Sequence, residues 1–147
     1  KKINKKDFKK FHPSGSLGAK LKTVEDIMLT KNKVPFIKEN SNMKNVLRII
    51  SQKKLGILIV TNNKGATTGI ITDGQIRRVS LKNKNLHSLK IKDVMTKNPI
   101  KVNKEILAEK ALAIMNEKKI TSLCVNNSSN RTIGIIHIHN ILKNNIS

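Results

Sequence analysis

The chain repeats itself, and the duplication limits the available folds more than any single motif does. Val24-Glu25-Asp26-Ile27-Met28 returns as Ile91-Lys92-Asp93-Val94-Met95, an offset of 67 residues. Further on the offset is 65, so that Met43, Val46, Leu47 and Ile50 become Ala108, Ala111, Leu112 and Met115. Their i, i+3, i+4, i+7 spacing predicts one apolar helix face in each copy. Lys54 to Val60 maps onto Lys119 to Val125, and the continuous apolar run in each reads as a buried strand. Gly69-Ile70-Ile71 maps onto Gly134-Ile135-Ile136, a second strand. The residues between the strands, Asn62-Asn63-Lys64-Gly65 and Asn126 to Asn130, are turn formers, so each copy holds a β-hairpin. A helix is expected after each hairpin, over about residues 74–81 and 140–145.

Each copy is thus strand, helix, strand, strand, helix, with one short helical turn ahead of it. A three-stranded sheet with two helices on one face leaves its other face bare, and pairing two copies covers it. The expected fold is α/β (α+β): two β-α-β-β-α repeats packed as a pseudo-twofold pair. The boundaries read as 23–82 and 83–147, behind a basic segment at 1–22 that carries six lysines in its first ten residues.

Composition supports a folded chain. Leu, Ile, Val and Phe make up 45 of 147 residues, above the level of about 20% at which a highly charged chain stays disordered. No apolar run approaches the roughly 18 residues of a membrane span, and no apolar stretch follows the N-terminal lysines as in a signal peptide. The expectation is a cytoplasmic protein with no membrane contact. A single cysteine, Cys124, excludes an internal disulfide framework, and CxxC metal spacing is missing.

The net charge of +21 suggests a polyanion partner until its make-up is considered. There are 26 Lys to 4 Arg, whereas bidentate phosphate and guanine recognition favours Arg. With three Phe and no Tyr or Trp, stacking platforms for single strands are nearly missing. Lys, Ile and Asn supply 65 of the 147 residues, and all three have A/T-rich codons, so base composition accounts for the charge. The lysines run along the whole length, and no specific nucleic-acid partner is expected.

The repeat as a whole, with its Asp-Ile-Met and Asp-Val-Met turns and Gly-Ile-Ile-Thr-Asp-Gly at 69–74, resembles tandem CBS domains, a Bateman module, over about residues 23–147. Ahead of it, His12-Pro13-Ser14-Gly15-Ser16-Leu17-Gly18 is similar to the HPGGALG-type segment that closes the sugar-isomerase (SIS) domain of bacterial arabinose-5-phosphate isomerases. Thr72-Asp73-Gly74 with Ile76-Arg77-Arg78, Lys119 to Ser122, and Gly134 to His139 resemble that family's CBS pair. The chain, which has no initiator Met, is read as the C-terminal portion of such an enzyme without its catalytic domain. The resemblance implies interconversion of ribulose 5-phosphate and arabinose 5-phosphate, on the route to the Kdo sugar of lipopolysaccharide, by the parent protein. It also implies partners: its own SIS domain, a second CBS pair in a homodimer, and a nucleotide or nucleotide-sugar effector.

His12 matches the family's active-site histidine; on its own it is a turn histidine in a His-Pro-Ser-Gly bend, and Ser14 replaces a family glycine. For the effector, an adenosine nucleotide or CMP-Kdo, the resemblance implies a cleft between the repeats. Thr72, Gln75, Arg77, His137 and Asn140 would sit at its polar end, with Gly56, Ile57, Thr121 and Ser122 along the base. Arg77 and Arg78 could reach the effector's phosphate, although two arginines on an amphipathic helix are more often just its wet face. Adenosine-binding pairs commonly carry an Asp three residues after the Thr or Ser, gripping the ribose diol through both oxygens. Here Gln75 and Asn140 occupy that position, and an amide offers a single acceptor oxygen. The competing reading is a ligand-free dimerisation scaffold. No cofactor or metal is expected: His137 and His139 have no nearby Cys or carboxylate to complete a ligand set, and Cys124 lies in an apolar strand.

Overall fold

The computed structural model describes residues 21–83 and 85–146. His12 and the rest of the HPSG segment lie outside the described residues. The elements in chain order are α1 (Val24–Ile27), β1 (Phe36–Lys38), α2 (Met43–Lys53), β2 (Ile57–Thr61), β3 (Thr67–Thr72) and α3 (Asp73–Lys82). There follow α4 (Ile91–Val94), β4 (Thr96–Lys97), β5 (Lys101–Val102), α5 (Ala108–Lys118), β6 (Ser122–Asn126), β7 (Thr132–His137) and α6 (Ile138–Lys143). Both helix-strand-strand-helix series predicted from the repeat are present, and the mixed α/β class is that expected.

Two compact units form. The first-repeat unit takes residues 30–100 and the turn 128–132; the second-repeat unit takes the described residues up to Leu29, with 101–127 and 133–146. In the first, the sheet order is β1-β2-β3-β4, with β1 parallel to β2 and the other neighbours antiparallel. Residues 57–60 of β2 are at most 3% exposed. Leu58 and Val60 pack with Ile71, Met43, Val46, Ile91 and Val94. In the second, the order is β5-β6-β7, with β5 parallel to β6. Leu123, Val125 and Ile136 meet Ala108, Ala111, Met115, Ile141 and Val24.

The second sheet has the expected three strands and the first has four, because the lead-in segments close the sheets crosswise, by a strand in the first and an isolated bridge in the second. The segment that precedes the second repeat supplies α4 and β4 to the first unit, where Gly69 and Ile70 pair with Lys97 and Thr96. The segment that precedes the first repeat supplies α1 and Leu29 to the second unit. Leu29 exchanges both backbone hydrogen bonds with Ile135, at 2.8 and 3.0 Å. Each closure requires a glycine on the hairpin strand. A Cβ on Gly69 would stand 2.7 Å from Met95 Sδ and 2.7 Å from the Thr96 carbonyl oxygen. On Gly134 it would stand 2.6 Å from Met28 Sδ and 2.8 Å from the Leu29 carbonyl oxygen. The Asp-x-Met and Gly-Ile-Ile motifs of the sequence are therefore partners, each Met lying on the glycine of the other repeat's strand.

Local chemistry repeats as well. Lys54 and Lys119 end α2 and α5 in the left-handed conformation, both at φ 57°. The Asp of the α1 motif caps its own helix, since Asp26 Oδ2 accepts from the Thr23 amide at 2.8 Å. That backbone hydrogen bond holds the Asp26 carboxyl below the usual carboxylate range. Cys124 is buried as expected, and burial pushes its thiol up to about 12, which makes it unreactive.

The first-repeat unit holds 16 Lys and Arg against three Asp and Glu. Among the described residues no helix is long and apolar enough to cross a membrane.

Candidate functional site

In each unit the hairpin brings the start of one strand beside the end of the next, where a helix begins. In the first unit this corner joins Gly56 and Ile57, at the start of β2, to Thr72 at the end of β3 and the first turn of α3. The Asp73 amide donates to the Gly56 carbonyl at 3.0 Å. The second unit reproduces the contact: the Ile138 amide donates to the Thr121 carbonyl at 2.8 Å. The structure thus brings Gly56, Ile57, Thr72 and Gln75 together in one corner, and Thr121, Ser122, His137 and Asn140 in the other.

Both corners are held by reciprocal capping. Thr72 Oγ1 accepts from the Gln75 amide at 3.3 Å, while Gln75 Oε1 accepts from the Thr72 amide at 2.8 Å. Gln75 also donates through Nε2 to the Val94 carbonyl at 3.3 Å and to Thr96 Oγ1. Its side chain therefore ties α3 to α4 and β4, and both its polar ends are engaged. Opposite in sequence, Asn140 Oδ1 accepts from the His137 amide at 3.0 Å. His137 is an unusual helix cap: its Nδ1 accepts from the His139 amide at 3.1 Å. An imidazole can do this only when that nitrogen is unprotonated.

The two imidazoles stack, with centroids 4.8 Å apart and planes inclined by 27°. Burial first, and the His139 charge second, push the His137 pKa below its ordinary value. That is the opposite of what a carboxylate partner would do. No group of three or more His, Cys, Asp or Glu side chains suited to a metal forms among the described residues.

Ser122 Oγ is buried and, among the described residues, is the one such side-chain atom without a hydrogen-bond partner. An unmade hydrogen bond at a buried hydroxyl costs about 1–3 kcal/mol. Its counterpart in the other corner is Ile57, which has no polar side-chain atom. Arg77 projects from the exposed side of α3, and Thr121 is exposed.

Sequence reasoning missed one feature, an open pocket of about 260 Å³ lined by Gln75, Arg78, Val79, Lys82, Asn83 and Val94. Its signal was present as the i, i+3, i+4, i+7 series on α3 from Gln75 to Lys82. The contribution of Val94 was not legible, because it depends on α4 folding back from the other side of a linker.

Comparison with known proteins agrees with this geometry. Residues 24–82 and 91–146 each match the CBS domain family. Arabinose 5-phosphate isomerase KdsD of Francisella tularensis is 38% identical over 144 residues, covering 97% of this chain and 44% of that protein. The KdsD of Escherichia coli is 36% identical over 138 residues, covering 93% and 42% respectively. The chain therefore spans less than half the length of these relatives. Among solved structures, CBSX2 in complex with AMP superposes with a TM-score of 0.74 at 23% identity, over 83% of this chain and 94% of that one. At that identity the likeness speaks for the fold. The duplicated hairpin units, their glycine-lined lead-in contacts and the two family matches establish this chain as a tandem pair of CBS domains.

Proposed function

We propose that the pair is the regulatory part of an arabinose-5-phosphate isomerase, joined to an SIS domain that carries out the aldose–ketose reaction in the cytoplasm. Its effector is a nucleotide or nucleotide-sugar, an adenosine nucleotide or CMP-Kdo, bound at the strand-end corners. His12 would complete the SIS active site. The effector acts by preferring one arrangement of the attached domains over another, since a ligand shifts an equilibrium only by its differential affinity.

One observation carries the binding reading. The unpartnered Ser122 hydroxyl lies where two strand ends and a helix start converge, and a ligand hydrogen bond there recovers the cost of its burial. The AMP of CBSX2 and the KdsD relatives support the ligand class and the parent reaction.

A second reading, a dimerising scaffold without effector, is favoured by the state of Gln75 and Asn140. Where the ribose-gripping Asp is expected, Gln75 spends both polar ends on Thr72, Val94 and Thr96, and Asn140 caps His137.

A thermal-shift titration with AMP, ATP, CMP and CMP-Kdo separates the two, with inorganic triphosphate as the control for bare charge. A ligand at 100 times its Kd adds about 2.7 kcal/mol, which raises Tm by about 5–10 °C in a chain of this size. Gln75→Asp restores the diol-gripping carboxylate and should tighten adenosine nucleotides about 10- to 100-fold. If no nucleotide exceeds triphosphate, in the wild type or the variant, the scaffold reading stands.

A further inference from the structure

We propose that the groove between α3 and α4, which meets the first strand-end corner at Gln75, is a second anion site that takes a small phosphorylated polyol or sugar. Arg78 and Lys82 stand one helical turn apart on its wall, about 5–6 Å between their Cβ atoms. Both are exposed, and neither is in an ion pair with a described residue. Gly74 matters here: Arg78 Nη1 lies 3.3 Å from where a Cβ on residue 74 would be, so the glycine lets the guanidinium fold back along the first turn of α3. The carboxylates of these two helices, Asp73 and Asp93, do not line the groove. No acidic side chain among the lining residues competes for an anion, and the groove belongs to the unit with 16 basic against three acidic residues.

The remaining lining residues specify more than charge. Val79 and Val94 form an apolar floor suited to a carbon skeleton. Asn83 Nδ2 is engaged with the Val79 carbonyl at 3.1 Å, which leaves Oδ1 as an acceptor for a ligand hydroxyl. A volume of about 260 Å³ falls below the roughly 300–1,000 Å³ of drug-sized sites, which suits a small ligand. A phosphate head between Arg78 and Lys82, three or more carbons over the valines and a hydroxyl on Asn83 fit it. Arg supplies a planar two-point contact to the phosphate and Lys a point charge.

The test is a two-dimensional NMR titration of the 147-residue chain with glycerol 3-phosphate, beside glycerol and sulfate at matched ionic strength. Glycerol 3-phosphate should saturate shifts of the amides of residues 75–83 and of Val94, with a Kd of about 1 mM. Arg78→Gln with Lys82→Gln should weaken it at least about tenfold, and Asn83→Asp about as much, by placing a carboxylate beside the anion. Lys44→Gln, on α2, should change it less than about twofold. All four side chains are exposed, so these variants should keep a dispersed spectrum. The proposal is overturned if sulfate reproduces the same shifts with equal affinity, if the shifts scatter over the lysines at large, or if the paired variant binds as tightly as the wild type.

Discussion

The two units solve one folding problem with the same scaffold and different chemistry. Each buries its central strand, ends its first long helix on a left-handed lysine, and closes its sheet on a glycine beneath a methionine. They diverge where polar groups are placed. The first corner is capped by Thr72, whose hydroxyl does not titrate, and its Gln75 clamps α3 to α4 and β4. The second is capped by the imidazole of His137, carries the unpartnered Ser122 hydroxyl, and its Asn140 side-chain oxygen makes only the local bond. Duplication preserved what the backbone and core require, while the positions a ligand or proton would meet drifted apart.

The largest test of this likeness lies in the core. Leu58 and Leu123 occupy equivalent strand positions, and both are fully buried. Leu58→Ala and Leu123→Ala should each cost about 2–5 kcal/mol, set by how far the surroundings collapse into the void. Hydrogen exchange should report the loss in β2 and β3 for the first variant, and in β6 and β7 for the second. A cost below about 1 kcal/mol in either would mean that its unit is not packed as described.

The glycines come next. Gly69→Ala and Gly134→Ala press a methyl group against a methionine that can move and a backbone oxygen that cannot. Each should destabilise by about 1–3 kcal/mol, measured as a lower urea midpoint with unchanged slope. Because β4 holds Gly69 and Ile70 in a two-residue ladder while Leu29 makes a single bridge, the Gly69 variant should lose more. Equal losses would mean that the extra ladder pair adds nothing to the first unit.

These contrasts explain what the sequence disclosed and what it withheld. Periodicity and turn residues located the long helices and hairpins, because amphipathic spacing and buried apolar runs are local properties. Ala108, Ala111, Leu112 and Met115 lie buried on α5 as the spacing required, whereas on α2 Met43 and Val46 are buried and Leu47 and Ile50 only half-buried. The crosswise closure was not legible. Met28 and Met95 resemble ordinary helix ends, and only the folded chain puts them on Gly134 and Gly69. The corner residues gather within each unit, because the repeat offset fixes their registers. Their hydrogen-bond commitments were hidden, since an amide at position 75 reads the same whether it faces a ligand or ties down α4. His12 belongs to the undescribed segment, and its role stays with the proposed parent enzyme.

The smallest expected effect discriminates best between the corners, because a proton reaches only one of the caps. The folded-state pKa of His137 is lowered from 6.5 by burial and by His139. The folded form therefore binds fewer protons than the unfolded chain in this range. Stability contributed by the cap is full above about pH 6.5 and is lost as pH falls through the lower folded value. Protonation also turns Nδ1 from acceptor to donor, breaking the bond to the His139 amide. Loss of a helix cap costs about 1 kcal/mol, so α6 should loosen by about that amount as pH falls from neutral through the lowered His137 pKa. In the first unit, Thr72→Ala should cost a similar amount at every pH in that range. His137→Asn supplies a cap that does not titrate and should remove the pH dependence while keeping the neutral-pH stability. Amide exchange rates in α6 against those in α3 read the difference directly. A wild-type α6 no more sensitive to acid than α3 would show that the imidazole cap contributes nothing, and the corners would then be equivalent in stability despite their chemistry.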